Sequence, residues 1–227
     1  MTDATTSLDV LIPKLEVHLS TSSGGAVKVL GVRPLLGGAC QDNLRIDAEV
    51  DGVATTWVLR ADAAQSLVGS LNRRAEQAVI QAAAAASVMT PEARWPVENL
   101  LRDGSSAYFM DWREGVAIGR KVVRDESLAA ARAALPNQLA KELSRIHGIT
   151  PESNPELVDV LGPAPAEPAH GVLVTAREAL DADPHGRPGL EYALRWLEAH
   201  QPSSEVCLVH GDFRTGNFLV TPEGLSA

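Results

Sequence analysis

Val209-His210-Gly211-Asp212-Phe213-Arg214-Thr215-Gly216-Asn217-Phe218-Leu219-Val220 is the stretch whose reading decides the rest. A short apolar segment enters a polar loop, and an apolar strand leaves it. The loop holds His210, then Asp212, then Asn217. Phosphoryl transfer asks for such groups: a carboxylate to orient an attacking hydroxyl and accept its proton, and a neutral oxygen to help hold Mg2+ against phosphates. His210 reads as a scaffold that fixes the loop. The competing reading is a polar turn whose Asp and Asn bond only local backbone groups.

Working outward, the first half of the chain reads as strands. A short helix is expected around Asp9–Leu19, and Ser20 to Gly25 reads as a loop. Val27–Leu36 is apolar enough for a strand and is punctuated by Gly37-Gly38. From Asn43 to Val50 the alternation is clean: Leu44, Ile46, Ala48 and Val50 on one face, Arg45, Asp47 and Glu49 on the other. That is the period of a half-buried strand. Asp51-Gly52 is a tight-turn pair, and Thr55–Arg60 follows as a third strand. A helix capped by Ser70 is expected to reach about Ala86 on its alanine run. Val97–Leu101 and Ala107–Trp112 read as two more strands around Asp103-Gly104.

The second half reads as helical. Leu135, Leu139, Leu143 and Ile146 recur at helical spacing, with Pro136 expected to break or start a helix. Gly148 reads as a helix stop. Thr150–His170 is Pro-rich and reads as loop. Leu190, Ala193, Leu194 and Leu197 mark a further amphipathic helix.

Composition sets bounds. The 227 residues are 45% hydrophobic and 22% charged, enough for a real core. A net charge of −9 disfavours nucleic acid as the main partner. Cys40 and Cys207 stand far apart with no metal-type spacing, which fits a reducing cytoplasm. No apolar run approaches membrane-span length, and the start at Met1 lacks a signal-peptide pattern. A cytoplasmic protein with no membrane partner is the expectation.

His-Gly-Asp-[aromatic]-Arg-x-x-Asn-[apolar] resembles the catalytic loop of the aminoglycoside phosphotransferase and choline kinase group. That resemblance implies Asp212 as catalytic base, His210 as its scaffold and Asn217 as a Mg2+ ligand. Other parts follow in kinase order. Gly37 and Gly38 stand where the family places its nucleotide-covering loop. Arg60 in Trp57-Val58-Leu59-Arg60 stands where protein kinases put a phosphate-pairing Lys, and resembles the Val-Leu-Arg of acyl-CoA-dehydrogenase-associated members. Glu76 matches the family's ion-pair partner for that residue. Tyr108-Phe109-Met110-Asp111-Trp112-Arg113-Glu114-Gly115 resembles the interlobe hinge, with Met110 and Trp112 beside the nucleobase. Leu143-Ser144-Arg145-Ile146-His147-Gly148 resembles the helix end that precedes the catalytic loop in space.

The fold implied is α+β and protein-kinase-like, with two lobes. Residues 1–24 would be an N-terminal extension, 25–112 a nucleotide-binding antiparallel β N-lobe, and 113–227 an incomplete helical C-lobe. The function implied is transfer of the γ-phosphoryl of ATP or GTP, with Mg2+, to a small-molecule hydroxyl. The alternative is an inactive kinase-like nucleotide-binding or scaffold protein. No Asp follows Asp212, although the family carries a Mg2+-binding Asp on the strand after the loop. The expectation is therefore a C-terminally truncated chain, inactive and poorly stable alone, with Phe218–Val220 lacking a full strand partner.

Overall fold

A computed structural model describes residues 8–35, 41–62, 71–203 and 205–227. The chain divides into two compact units, Met1–Ile146 with His210–Ala227, and His147–Val209.

The first unit is built on an antiparallel sheet. Its strands are β1 (Val27–Pro34), β2 (Gln41–Val50), β3 (Val53–Asp62), β4 (Ala93–Glu98) and β5 (Ser106–Asp111), in the order β1-β2-β3-β5-β4. The alternation read in β2 is realised: Ile46 and Ala48 are buried, while Arg45, Asp47 and Glu49 keep partial exposure. Asp51 and Gly52 take φ of 49° and 82°. Positive φ at both central residues is the hairpin geometry that matches strand twist, and it sets Val50 against Val53.

Because side chains alternate along each strand, the sheet has two different faces. Trp57, Leu59, Ala61, Ala107 and Phe109 form one core with Leu11, Leu15 and Leu19 of α1 (Leu8–Ser23). Each fully buried side chain of this size contributes about 1.5–3 kcal/mol. The opposite face carries Val58, Tyr108 and Met110, packed with Ile80 of α2 (Arg73–Ala85). Asn72 caps α2, its side chain accepting from Ala75 N at 2.8 Å. Ser70 lies outside the described residues.

Ser20–Ser23 continue α1 rather than opening a loop, and two further expectations about boundaries need correction. The fourth strand begins at Ala93 rather than Val97. Pro96 argues against a strand, but β4 is an edge strand and its register shifts between Arg94 and Val97. Edge bulges tolerate Pro. Here the bulge holds Trp95 at φ 47° and brings its ring edge-on to Trp57 at 5.3 Å. Second, Pro136 does not break its helix, since α4 runs unbroken from Ala129 to His147. Losing one backbone bond costs about 3 kcal/mol. Buried Ala131, Leu135 and Ile146 flank the proline and offset that cost.

Before α4, α3 (Gly119–Arg124) and a 3-10 turn (Glu126–Leu128) supply Val122 and Leu128 to a second core with Ala131, Leu135 and Val220. Strands β6 (Val220–Thr221) and β7 (Gly224–Leu225) form a hairpin. Phe218–Val220, expected to lack a full hairpin partner, is paired at Leu219 and Val220. Leu219 N donates to Ala227 O at 2.7 Å, Ser226 N donates to Leu219 O at 2.8 Å, and Val220 is fully buried.

In the second unit, the Pro-rich stretch is more helical than expected. It holds a 3-10 turn (Pro155–Leu157), α5 (Val158–Leu161) and the start of α6 (Pro168–Asp181). Arg177 on α6 pairs with Glu191 and Glu198 of α7 (Pro188–Ala199). Leu190, Trp196 and Leu197 on α7 remain exposed. Among the described residues no helix is long and apolar enough to cross a membrane.

His18 on α1 stacks on Phe109, ring centroids 5.5 Å apart. Burial lowers its pKa, partly opposed by a bond to the Trp95 backbone. A lowered folded-state pKa favours the neutral ring, so this stability is present above the unfolded value of about 6.5 and is lost as pH falls below it. The expected outcome is a larger loss of melting temperature between pH 7 and pH 5 in wild type than in His18→Gln. Equal losses would show that His18 does not couple folding to pH.

Candidate active site

One cluster stands on the α2 face of the sheet. Arg60 near the end of β3 points to the same side as Val58, and Glu76 lies in the first turn of α2. Arg60 Nη2 reaches Glu76 Oε1 at 2.7 Å, and Nε reaches Oε2 at 3.3 Å. The two residues matched to the family's ion pair are therefore brought together. Two partners that the sequence reading missed join them. Tyr108 hydroxyl donates to Glu76 Oε2 at 2.8 Å, and Arg73 Nη1 donates to the same oxygen. Arg73 Nε also lies 3.4 Å from Asp62 Oδ1. Arg73 at three residues before Glu76 was a visible helical-pair signal.

The electrostatics follow from the packing. Burial disfavours the Arg60 charge, but Tyr108 and Glu76 beside it more than offset this and hold its pKa above the usual value. Burial pushes the Tyr108 phenol far up, against the pull of Arg60 and with the help of Glu76. The phenol therefore stays protonated and donates.

Met110 is buried on β5, across from Val58. Trp112 follows β5; its backbone N donates to Thr56 O at 3.3 Å and its indole N–H to Glu114 at 2.6 Å. The Arg45 guanidinium lies 4.2 Å over its ring, a cation–π contact that sequence spacing did not reveal. Gly37 and Gly38 lie outside the described residues.

The second cluster is the 210–217 loop. Asp212 Oδ2 accepts from Asn217 Nδ2 at 2.7 Å, and Oδ1 accepts from Arg214 Nε at 2.8 Å. Asn217 Nδ2 also reaches Asp212 O at 2.8 Å. His210 Nδ1 accepts from Asp212 N at 3.3 Å, and its ring meets Phe213 edge-on at 5.4 Å. The Asn217 bond, then the Arg214 bond, hold the Asp212 carboxyl below its usual range, so it is ionised at neutral pH.

The donor chemistry fits a hard cation. Asp212 and Asn217 offer oxygens, and Asn217 Oδ1 takes no part in the clamp that uses its Nδ2. Among the described residues no group of three or more His, Cys, Asp or Glu side chains is gathered as a metal centre. Mg2+ at phosphates keeps several waters and takes only one or two protein carboxylates. The pair suits one side of such a site.

The segment after β5 and the loop's exit strand are bonded to each other. Val116 N donates to Val220 O at 2.8 Å, and Val220 N returns to Val116 O at 3.1 Å. Ser226 hydroxyl donates to Glu114 O at 2.7 Å. Gly115 between them has φ 147°, and a Cβ there would stand 2.8 Å from Leu219 Cβ.

A family-wide sequence pattern described as the phosphotransferase enzyme family (APH) matches residues 31–227. The chain belongs to this phosphotransferase family. It is 26% identical to mouse acyl-CoA dehydrogenase family member 10 over 150 residues, which is 64% of this chain and 13% of that protein. A crystal structure from Ralstonia eutropha JMP134, provisionally assigned as an aminoglycoside phosphotransferase, superposes with a TM-score of 0.66 at 19% identity. That match covers 97% of this chain and 63% of the Ralstonia chain. The phosphotransferase fold is thus the α+β, kinase-like fold expected from the sequence.

Gly115→Ala is expected to lower stability by about 1–3 kcal/mol, through strained backbone and a lost close approach. Gly31→Ala, with nothing within 4 Å of the new Cβ, serves as control. Urea unfolding midpoints of the two variants check this; an unshifted midpoint for Gly115→Ala would contradict the close approach.

Proposed function

We propose that the protein is a phosphotransferase that moves the γ-phosphoryl group of ATP or GTP to a hydroxyl on a small molecule. The observation that carries this reading is the Asp212 carboxylate, ionised and held between Asn217 and Arg214 beside the hinge-bonded strand. The paired Arg60 and Glu76 add the nucleotide side of the chemistry.

Asp212 orients the acceptor hydroxyl. The acceptor oxygen attacks the γ-phosphorus, the bond from that phosphorus to the bridging oxygen breaks, and the nucleoside diphosphate leaves. The hydroxyl proton passes to Asp212. Asn217 Oδ1, with Asp212 nearby, would hold Mg2+, which supplies charge neutralisation at the phosphates when bound. Arg60 pairs with nucleotide phosphates, and Gly37 and Gly38 let backbone N–H groups approach them. Met110 and Trp112 border the nucleobase. His210 keeps the loop in shape.

The acceptor is a small hydroxyl compound. Aminoglycosides, choline-like alcohols, sugars and hydroxyacyl compounds form the test panel, the first of these suggested by the assignment of the Ralstonia protein.

The test uses the full-length protein with Mg2+ and ATP or GTP across that panel. Asp212→Ala is expected to cut kcat by about 10²–10⁴-fold while nucleotide affinity changes little, because a general base acts along the reaction path. Asn217→Ala is expected also to raise the Mg2+ concentration needed for half-maximal rate. Equal, mild effects from both would reduce the loop to a structural turn. Nucleotide binding without transfer to any acceptor would favour an inactive, nucleotide-binding protein.

A further inference from the structure

Glu76 is over-supplied with donors for a simple ion-pair partner. Its carboxylate accepts from Arg60, Arg73 and Tyr108 together. The three donors differ in what else they can do. The Arg60 side chain keeps 24% exposure, whereas that of Arg73 keeps 5% and Tyr108 is fully buried. Arg73 is sealed among carboxylates and cannot reach a ligand in solvent. Tyr108 stands directly across from Arg60 in the β3–β5 register.

We propose that Arg73 and Tyr108 are positioning residues for Arg60. They hold the Glu76 carboxylate in place, so that Arg60 stays aimed when nucleotide phosphates compete for its charge. The inference rests on the phosphotransferase reading above.

The physical problem is competition. A phosphate chain is a stronger anion than one carboxylate and pairs well with a guanidinium. A Glu held by that guanidinium alone would lose its partner on nucleotide binding and regain its rotamer freedom. Arg60 would then lose the support that sets its direction. Arg73 and Tyr108 keep Glu76 fixed without any help from Arg60. Arg73 is itself anchored, because its Nε faces Asp62 and its backbone N donates to Asp62 Oδ1 at 3.3 Å. Asp62 Oδ2 accepts from Ser106 N at 3.0 Å. The end of β3, the start of β5 and the first turn of α2 are thus joined through side chains other than Arg60. This ties the position of α2 to the sheet before any nucleotide arrives.

A purely structural role would also place these residues at the α2–sheet junction. The two roles differ in one respect: positioning acts through Arg60 and must vanish when Arg60 is absent. The experiment is a double-mutant cycle on the full-length protein, with MgATP and MgGTP affinities measured by calorimetry. Arg60→Ala is expected to weaken binding about tenfold or more, and Tyr108→Phe about three- to tenfold, since contacting residues in one network couple strongly. In the double variant, Tyr108→Phe should add nothing to the loss from Arg60→Ala. Arg73→Lys should keep more affinity than Arg73→Met. Melting curves are recorded for each variant. If Arg73→Met fails to fold, the near-isosteric Tyr108→Phe carries the cycle.

Additive losses, or no loss from Tyr108→Phe where Arg60→Ala weakens binding, would overturn the positioning role and leave the phosphotransferase reading intact. Unchanged affinity in Arg60→Ala would overturn the phosphate-pairing role of Arg60 and the positioning role with it. Wild-type protein that binds neither nucleotide would overturn the phosphotransferase reading itself.

Discussion

The backbone bridge between Val116 and Val220 is the constraint on which the site depends. It fastens the segment just after β5 to the strand that leaves the 210–217 loop. From Trp112 to Val116 the chain spans about 14 Å even when fully extended. Trp112 therefore cannot drift far from the bridge, and the 210–217 loop is held near it through Val220. Gly115 makes the bridge possible, because any side chain there would collide with Leu219. Val220 beneath it is fully buried against Val122, Leu128, Ala131 and Leu135. A loop of exposed polar residues is thus anchored by apolar packing on the strand that follows it. That arrangement suits a site whose groups need solvent access and fixed direction together.

The Glu76 cluster follows a different logic. Partly buried charges are poor stabilisers, since desolvation cancels much of their attraction and an apolar replacement is often as stable. Val58, Ile80 and Met110 nearby show that this face can be packed with apolar groups. Two arginines and two carboxylates placed among them, with a tyrosine hydroxyl, point to a task rather than to cohesion. In the proposed reading that task is to keep one cation, Arg60, partly exposed and correctly aimed. The α1 face of the same sheet bears the apolar load, through Leu15, Leu19, Leu59 and Phe109. In that reading the sheet separates stability on one face from chemistry on the other.

Much of this was legible because it is local. The β2 alternation and the Asp51-Gly52 turn are patterns of adjacent residues, and both emerged in place. The His210, Asp212 and Asn217 spacing is likewise local: the Asp212 and Asn217 side chains do meet, and the His210 ring accepts from the Asp212 backbone N. Tyr108 was quoted only as part of the hinge. Its bond to Glu76 depends on β5 pairing with β3 across the intervening helix and strand, which no local pattern encodes. Strand β4 was placed too late because its register shifts between Arg94 and Val97, which breaks the two-residue period that marks a strand. Pro136 misled for a related reason, since burial on both sides of it is a tertiary fact. Helix α6 was hidden by its own Pro168 and the prolines before it; Pro168 takes the first helical turn, where a missing N–H costs little.

The geometry of the loop also bears on what Asp212 does in the proposed reaction. Hydrogen bonds from Asn217 and Arg214 hold its carboxyl below the usual range. A weaker base takes a proton less readily, so this clamp works against base strength. It gains direction instead, because both oxygens are fixed by donors on opposite sides. Phosphoryl transfer with a loose transition state needs little proton removal early in the reaction, and most of its catalysis comes from positioning and charge stabilisation. A carboxylate that is reliably ionised and well oriented serves such a step better than a strong base in a mobile loop. The Arg214 guanidinium is exposed and bonded to Asp212, so in that reaction phosphates entering the site would compete with Asp212 for it. Release of that one bond would free a carboxylate oxygen for the acceptor hydroxyl at the moment nucleotide is in place, while Asn217 keeps hold of the other.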